Sequence, residues 1–338
     1  MAPSDTKGAL DGLLILDLSR ILAGPTATQL LGDMGATVIK IENPKSNGDA
    51  TRAWGPPYAE PNDGQSDLSA YFMSSNRNKY SVSADLSTEE GRELVRAIAA
   101  KADVVIENYK PGGLEKYGFD HATLCAQYPA LVYLSISGFG QDGPNRNRPG
   151  YDLMAQGYGG IMSLTGPADG QPMKVGVGIA DVMCGMYATI GILAALRHRD
   201  QTGEGQYIDL SLVAEDARYQ TNPLRIENRE TLIPQIAETF AKFTAQQLLQ
   251  KLQNAGVPCG PIYNVEQALT SDQAQARGMV VPVPHADTVA GEVSLLGNPL
   301  KFSATPVTFR RPPPRFGQDT QTVIEMLDIV AKSSVSDG

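Results

Sequence analysis

Leu13–Pro44 reads LLILDLSRILAGPTATQLLGDMGATVIKIENP, and its pattern changes three times. Leu13–Leu18 is an apolar run beside Asp17 and Ser19, as expected of a strand buried on both faces. Thr26–Met34 predicts a short helix closed by Gly35. Thr37–Glu42 is β-branched and predicts a second strand. The same rhythm continues outward. Ser87-Thr-Glu-Glu90 predicts a capping box, with Ser87 accepting from the Glu90 amide, that opens a helix to about Lys101. Asp103–Glu107 and Leu131–Ser137 predict strands, with a short helix at His121–Gln127 between them. Strands separated by helices pair in parallel, so the expected class is α/β with a Rossmann-like doubly wound sheet.

Residues 138–180 are rich in Gly, Pro and Asn and predict long loops, a common seat of function. Asp181–Arg199 predicts a strong helix, and its small residues Gly185, Ala188, Gly191, Ala194 and Ala195 let a neighbouring backbone approach closely. Gly205–Leu212 alternates like a strand. Beyond residue 215 the expectations are a helix at Asn228–Phe243, a capping box at Thr244-Ala-Gln-Gln247, and a helix over Glu266–Arg277. Short strands at Gly291–Leu296 and Lys301–Ala304, a stiff basic connector at Arg310–Arg315 and a helix over Thr320–Ala331 complete the reading.

Composition narrows the function. The 338 residues carry 28 Lys+Arg against 37 Asp+Glu, a formal charge of −9. Such a chain is ill suited to general binding of phosphate backbones, so no nucleic-acid partner is expected. A local basic patch can still hold one phosphorylated small molecule. Cys125, Cys184 and Cys259 form no CxxC pair, and three histidines make no metal cluster, so no metal is expected. The cysteine pattern fits a reducing compartment, no apolar run is expected to span a bilayer, and the N-terminal residues resemble no signal or transit peptide. A cytoplasmic location without a membrane partner is the expectation. The turn after the first strand, Ser19–Pro25, has no GxGxxG. No Walker A, HExxH or GxSxG motif occurs either, so the usual apparatus of nicotinamide redox chemistry and nucleotide hydrolysis is missing.

Eight strings stand in order along the chain: LDLSRILAGPTATQLLGDMGATVIKIENP, NRNKYSVSADL, VVIENYKPGGLEKYG, SISGFGQDGP, GYDLMAQGYGGIMSLTG, GIADVMCGMYATIGILAAL, QTGEGQYIDLSL and NAGVPCGPIYNVEQAL. Together they resemble the family III CoA-transferases, the CaiB/BaiF group, over nearly all of residues 10–330. The resemblance implies CoA transfer from an acyl-CoA to a free carboxylic acid, of short or dicarboxylic type, with CoA thioesters as substrates and no permanently bound cofactor. It makes Asp181, in Ala180-Asp181-Val-Met-Cys-Gly185, the nucleophile that forms an acyl anhydride and then an aspartyl-CoA thioester. On the residues alone, Asp181 at a helix start also reads as an N-cap, and the helix dipole favours its ionised form. The resemblance implies CoA contacts at Ile21, Leu22, Ala23, Asn43, Ala84, Asn108, Tyr109, Lys110, Lys116 and Tyr117. Relatives with Arg at the place of Asn43 differ from this chain there. Tyr151 and Asp152 are expected as neighbours of the nucleophile. Racemases of this group carry a His where Tyr151 stands, which disfavours proton abstraction at the α-carbon. Asp152 reads equally as a turn former. Arg52 is read as a ligand for a carboxylate or phosphate, or as a partner of Asp49; Trp54 as a wall of the acyl pocket, or a packed aromatic. Neither Cys184 nor Cys259 is assigned a catalytic role.

One departure is large. Relatives carry a long segment between the strings that here meet near residues 212–217. That segment builds much of the small domain and holds a Gly-rich loop over the nucleophile. The expected organisation is therefore a large CoA-binding domain over 1–212, a truncated α+β domain over 213–296, and a segment returning to the large domain over 297–338. A homodimer is expected from the resemblance. A racemase-like enzyme and an inactive CoA-binding or dimerising homologue stand as alternatives.

Overall fold

The computed structural model describes residues 7–60, 67–142, 145–148, 150–167, 170–212, 264–300, 302 and 305–329. Six parallel strands form one sheet in the order β3-β2-β1-β4-β5-β6: β1 (Leu14–Asp17), β2 (Thr37–Glu42), β3 (Lys79–Ser83), β4 (Val104–Glu107), β5 (Val132–Ser137) and β6 (Tyr207–Ser211). This is the doubly wound arrangement the sequence predicts, with the chain turning back across the sheet beside β1. The helices in chain order are α1 (Ala23–Asp33), α2 (Ala70–Met73), α3 (Glu89–Ala99), α4 (His121–Gln127), α5 (Asp152–Tyr158), α6 (Ile179–Thr202), α7 (Val265–Leu269), α8 (Asp272–Ala276) and α9 (Thr320–Met326). A second, two-stranded sheet pairs β7 (Val280–Pro284) with β8 (Glu292–Leu296).

Alternating side chains of the central strands build two apolar layers. Ile15, Val104, Ile106 and Leu134 pack with Ala27 and Leu31 of α1 and with Ala188 and Ile192 of α6. Leu16, Val105 and Tyr133 face the other way, into Val95 and Ile98 of α3, Leu124 of α4 and Val323 of α9. Burial on both faces is why these strands read as continuous apolar runs. At Gly185 a Cβ would lie 2.8 Å from the Ala23 carbonyl oxygen and 2.9 Å from the Thr26 Cβ, so the close approach of α1 and α6 depends on that glycine.

One expectation about apolar runs is corrected: α6 is 24 residues long and contains an 18-residue window with a mean hydropathy of 1.8, the length and composition of a membrane span. Half of its apolar window is buried inside the protein, and its buried residues join the first apolar layer.

β3 was not legible as a strand because its sequence, KYSVS, is half polar. Its polar groups have partners. Ser81 Oγ donates to Glu42 Oε1 at 2.7 Å, and Lys79 Nζ meets Asp17 Oδ2 at 3.2 Å. The open edge of this outer strand is covered by the C-terminal segment. Asn78 N donates to Arg311 O (3.0 Å), Ser81 N to Asp319 Oδ2 (3.1 Å) and Ser83 N to Thr320 Oγ1 (2.9 Å). Covering an edge in this way removes a template for strand addition. The expected basic connector is thus a strap: Arg310 donates to Gly32 O and Ala36 O, both at 2.9 Å, and Arg311 lies 3.9 Å over the Tyr80 ring.

Asp33 ends α1 in a buried cluster. Arg77 grips it with Nε–Oδ1 at 2.9 Å and Nη2–Oδ2 at 2.5 Å, while Asn78 Nδ2 donates at 2.8 Å and Asn298 Nδ2 at 3.0 Å. These bonds join α1, the entry to β3 and the chain after β8.

Several local expectations shift. The cap of α3 is Thr88, which accepts from Gly91 N at 3.1 Å, and Ser87 turns instead to Asp85 Oδ2 at 2.9 Å. Glu266–Arg277 is two helices, capped separately by Asn264 and Ser271. The helix expected over Thr320–Ala331 ends at Met326. The loop region 138–180 contains α5 and a 3-10 turn at Ile161–Leu164. The predicted helix at Asn228–Phe243, the capping box at Thr244 and Cys259 lie outside the described residues, as does most of the strand expected at Lys301–Ala304. The chain divides into one unit of Met1–Ala214 with Val281–Gly338 and a second of Glu215–Val280, narrower than the 213–296 expected for the small domain.

Candidate active site

The site lies at the C-terminal end of the parallel sheet, where an open α/β sheet places its ligands. Its first wall is the turn between β1 and α1. Asn108 clamps Arg20 from both sides: Arg20 N donates to Asn108 Oδ1 at 2.9 Å, and Asn108 Nδ2 donates to Arg20 O at 2.6 Å. The buried Lys40 ammonium donates to Ser19 O at 2.8 Å and Asp49 Oδ2 at 3.0 Å, and Asp49 Oδ2 also accepts from Ile21 N at 3.1 Å. These bonds hold Ile21 at φ 72°, a left-handed conformation costly for a β-branched residue. The turn is therefore preset rather than adaptable. Burial opposes the charge on Asp49, but the Lys40 ammonium and the Thr51 amide outweigh it and hold the carboxyl below its ordinary range.

The second wall is the segment after β4. Tyr109 N donates to Glu107 Oε2 at 2.7 Å, and the Arg20 guanidinium lies 4.6 Å over the Tyr109 ring. Burial pushes the Glu107 carboxyl up to about 7.

The third wall carries Asp181. The N-cap position of α6 is Gly178, which has no side chain to offer; Asp181 sits in the first turn. The cap comes from α5: Asp152 Oδ1 accepts from Ala180 N at 2.8 Å and Asp181 N at 3.3 Å. Asp152 Oδ2 in turn accepts from Gln156 Nε2 at 2.6 Å. The capping role read for Asp181 thus belongs to Asp152. Among the described residues no donor reaches the Asp181 carboxylate. Burial, then the nearby Asp152 charge, push its carboxyl up to about 7, against the expectation that the helix start favours the ionised form. Cys184, one turn on, is buried and its thiol is pushed up to about 12, first by burial and then by Asp181. It is no thiolate nucleophile at neutral pH.

The three walls enclose a cavity of about 370 Å³. Of the residues expected here, Ile21, Leu22, Ala23, Asn108, Tyr109, Lys110, Tyr151 and Asp181 line it, and so does Trp54, which packs edge-on against Tyr71 at 5.2 Å. The structure does not bring the other candidates to this lining. Asn43 caps the turn Pro44–Ser46, accepting from Lys45 N at 2.9 Å. Ala84 is buried in the second apolar layer, and the Lys116 ammonium lies 4.7 Å over the Tyr117 ring. Asp152 stands behind Asp181 as its cap. Arg52 is buried and pairs with Glu42, Nη2–Oε1 at 2.6 Å and Nε–Oε2 at 2.8 Å, and with Asp67 Oδ2 at 3.3 Å, rather than with Asp49. Sequence reasoning missed Arg20, Ser137 and Arg148 as lining residues. The loop around Arg148 shows no periodicity, and only the fold brings it to Asp181. No histidine lines the cavity: His121 stacks on Tyr207 at 3.9 Å, and His285 Nε2 lies 3.0 Å from Pro313 O.

The chain belongs to CoA-transferase family III, whose family model matches it in two stretches, residues 10–217 and 213–320. It is similar to a succinate–glutarate CoA-transferase of Agrobacterium fabrum, with 36% identity over 394 aligned positions covering 97% of this chain and 98% of that protein. It is also similar to the human succinyl-CoA:glutarate CoA-transferase (32% identity, 94% of this chain and 85% of that one). A CaiB/BaiF family protein of Brucella suis has the same fold at a TM-score of 0.82 and 37% identity, covering 95% of this chain and all of the other (100%). The 394 aligned positions exceed the 338 residues of this chain, so the alignment places gaps in it. The two matched stretches meet at 213–217, where the sequence reading places the missing segment.

Proposed function

We propose that this CoA-transferase works through Asp181, and that its substrates are short dicarboxylic acids and their CoA thioesters. The Asp181 carboxylate attacks the thioester carbonyl. The C–S bond breaks, CoA thiolate leaves and an acyl–aspartyl anhydride remains. The thiolate returns to the aspartyl carbonyl, the donor acid departs as its carboxylate, and an aspartyl-CoA thioester is left. An acceptor carboxylate reverses both steps and carries CoA away. The observation that supports this is the state of Asp181: a carboxylate to which no described residue donates, at the wall of a cavity that also presents the Asn108–Lys110 segment. A carboxylate that no protein donor holds keeps its lone pairs for attack on a carbonyl. The dicarboxylic class follows the names of the relatives from Agrobacterium and human. With no histidine on the cavity lining, a racemase-type reading lacks its second base.

The test is mass spectrometry of the protein after incubation with succinyl-CoA. The expected result is a CoA adduct on the Asp181 peptide, removed by hydroxylamine. CoA binding without any adduct would instead support a binding homologue that has lost its chemistry.

The reactive form is the carboxylate, so adduct formation should rise with pH, reach half its plateau near pH 7 and level off above. Asp152→Asn keeps an oxygen to cap Ala180 N but removes the neighbouring negative charge. Its profile should move to lower pH yet stay above the ordinary carboxylate range, because burial is the larger cause. A profile that does not move would remove Asp152 from the electrostatics of Asp181.

We also propose a homodimer. Met186 and Ile190 of α6 are 52% and 60% exposed, and Leu153 and Tyr158 of α5 are exposed as well. An apolar surface of this kind is usually covered by a partner.

A further inference from the structure

We propose that Arg148 holds the far carboxylate of a dicarboxylic substrate while the near carboxyl group reacts at Asp181. The inference rests on the CoA-transfer reading and goes beyond it by assigning the specificity for two acid groups to one side chain.

Among the described residues, three cationic side chains line the cavity with Asp181: Arg20, Lys110 and Arg148. Arg20 and Lys110 belong to the turns after β1 and β4, beside Tyr109. Arg148 comes from the loop between β5 and α5, three positions before Tyr151, and so enters with the elements that carry the nucleophile. Its guanidinium is held but not neutralised. The carbon lies 5.6 Å from the Phe139 ring centre and 5.8 Å from that of Tyr158, two rings packed edge-to-face at 5.0 Å. Asn145 Oδ1 accepts from Nη1 at a long 3.5 Å, and Asn145 Nδ2 donates to the Tyr158 hydroxyl at 2.9 Å. Among the described residues no carboxylate forms an ion pair with Arg148. The aromatic rings and Asn145 orient the fork, and among the described residues no other acceptor meets its remaining N–H groups.

A planar guanidinium with free N–H groups matches a carboxylate in a two-point fashion that an ammonium cannot. A monocarboxylic substrate presents only the group consumed at Asp181 and gives Arg148 nothing to bind. A four- or five-carbon diacid presents a second carboxylate. Arg148 also offsets the repulsion between that charge and the ionised Asp181, which otherwise disfavours any diacid in so small a cavity.

The test compares glutarate with butyrate, which lacks the second acid group. Binding is measured by calorimetry and by the emission of Trp54, the single tryptophan and itself a wall of the cavity. The wild-type protein should bind glutarate at least tenfold more tightly than butyrate. Arg148→Gln should abolish most of that ratio, and Arg148→Lys should restore part of it. In steady-state transfer, Arg148→Gln should raise KM for glutarate at least tenfold with a smaller effect on kcat. Glutarate that binds wild type no more tightly than Arg148→Gln, or a glutarate-to-butyrate ratio unchanged by the substitution, overturns the proposal. The binding readout needs no chemistry and the adduct test reads Asp181 alone, so each can fail without the other.

Discussion

Asp181→Ala is expected to lower CoA transfer by about three orders of magnitude or more and to leave no enzyme-bound thioester. Every covalent step in the proposed cycle forms or breaks a bond to that side chain, so no neighbouring group can substitute. Asp152 is occupied as the cap of α6, and Cys184 is a buried, protonated thiol. Turnover in Asp181→Ala within tenfold of wild type would exclude the covalent route. Asp181→Asn carries a second, separable consequence for stability. A carboxyl raised from 3.8 to about 7 in the folded protein binds a proton there more tightly than in the unfolded chain. Folded stability is therefore undiminished below pH 3.8 and declines as pH rises to 7, by an upper bound of about 4 kcal/mol. Asp181→Asn has no such loss. Its Tm should exceed that of wild type by several degrees at pH 8, and the difference should shrink towards pH 4. An equal Tm at both pH values would show that burial of this charge costs nothing.

Asp33→Ala is the substitution expected to harm the fold most. It removes an acceptor from Arg77, Asn78 and Asn298 at once and leaves the Arg77 guanidinium buried without its counter-charge. Breaking a buried pair from one side costs about 3–5 kcal/mol. With donors of three residues losing this acceptor, the upper end of that range is expected, and urea unfolding measures it. A loss under 1 kcal/mol would mean that water reaches Arg77 freely once the carboxylate is gone. The pair need not be stabilising against an apolar replacement. It does specify how the end of α1, the start of β3 and the chain after β8 meet.

The parts of the fold that were legible in the sequence are those whose pattern follows from burial on two faces. Val104–Ile106 is apolar throughout, and β-branched residues mark Thr37–Glu42 even though Lys40 and Glu42 share one of its faces. β3 was not legible because its stability comes from Asp17, Glu42 and the C-terminal strap, all distant in sequence. The helix start at Asp181 was correctly placed to within two residues, but its chemistry was misjudged. A sequence shows that a carboxylate opens a helix; it does not show that a second carboxylate, 29 positions earlier, already caps it. Arg52 was misassigned for a related reason: Asp49 is its close neighbour in sequence, but Lys40 claims Asp49, and Glu42 claims Arg52. The loop clamp at Arg20 depends on Asn108, 88 positions away, and no local pattern announces it.

The strap that covers β3 also bears on how the protein is made. A ribosome that has just added residue 304 has already delivered every strand of the parallel sheet. The amides of Asn78, Ser81 and Ser83 then still lack Arg311, Asp319 and Thr320. The nascent chain must carry that bare strand through synthesis of the whole second unit before its cover emerges. Until that moment it is a natural client for chaperones, and translation that stalls before the strap should yield aggregate rather than enzyme.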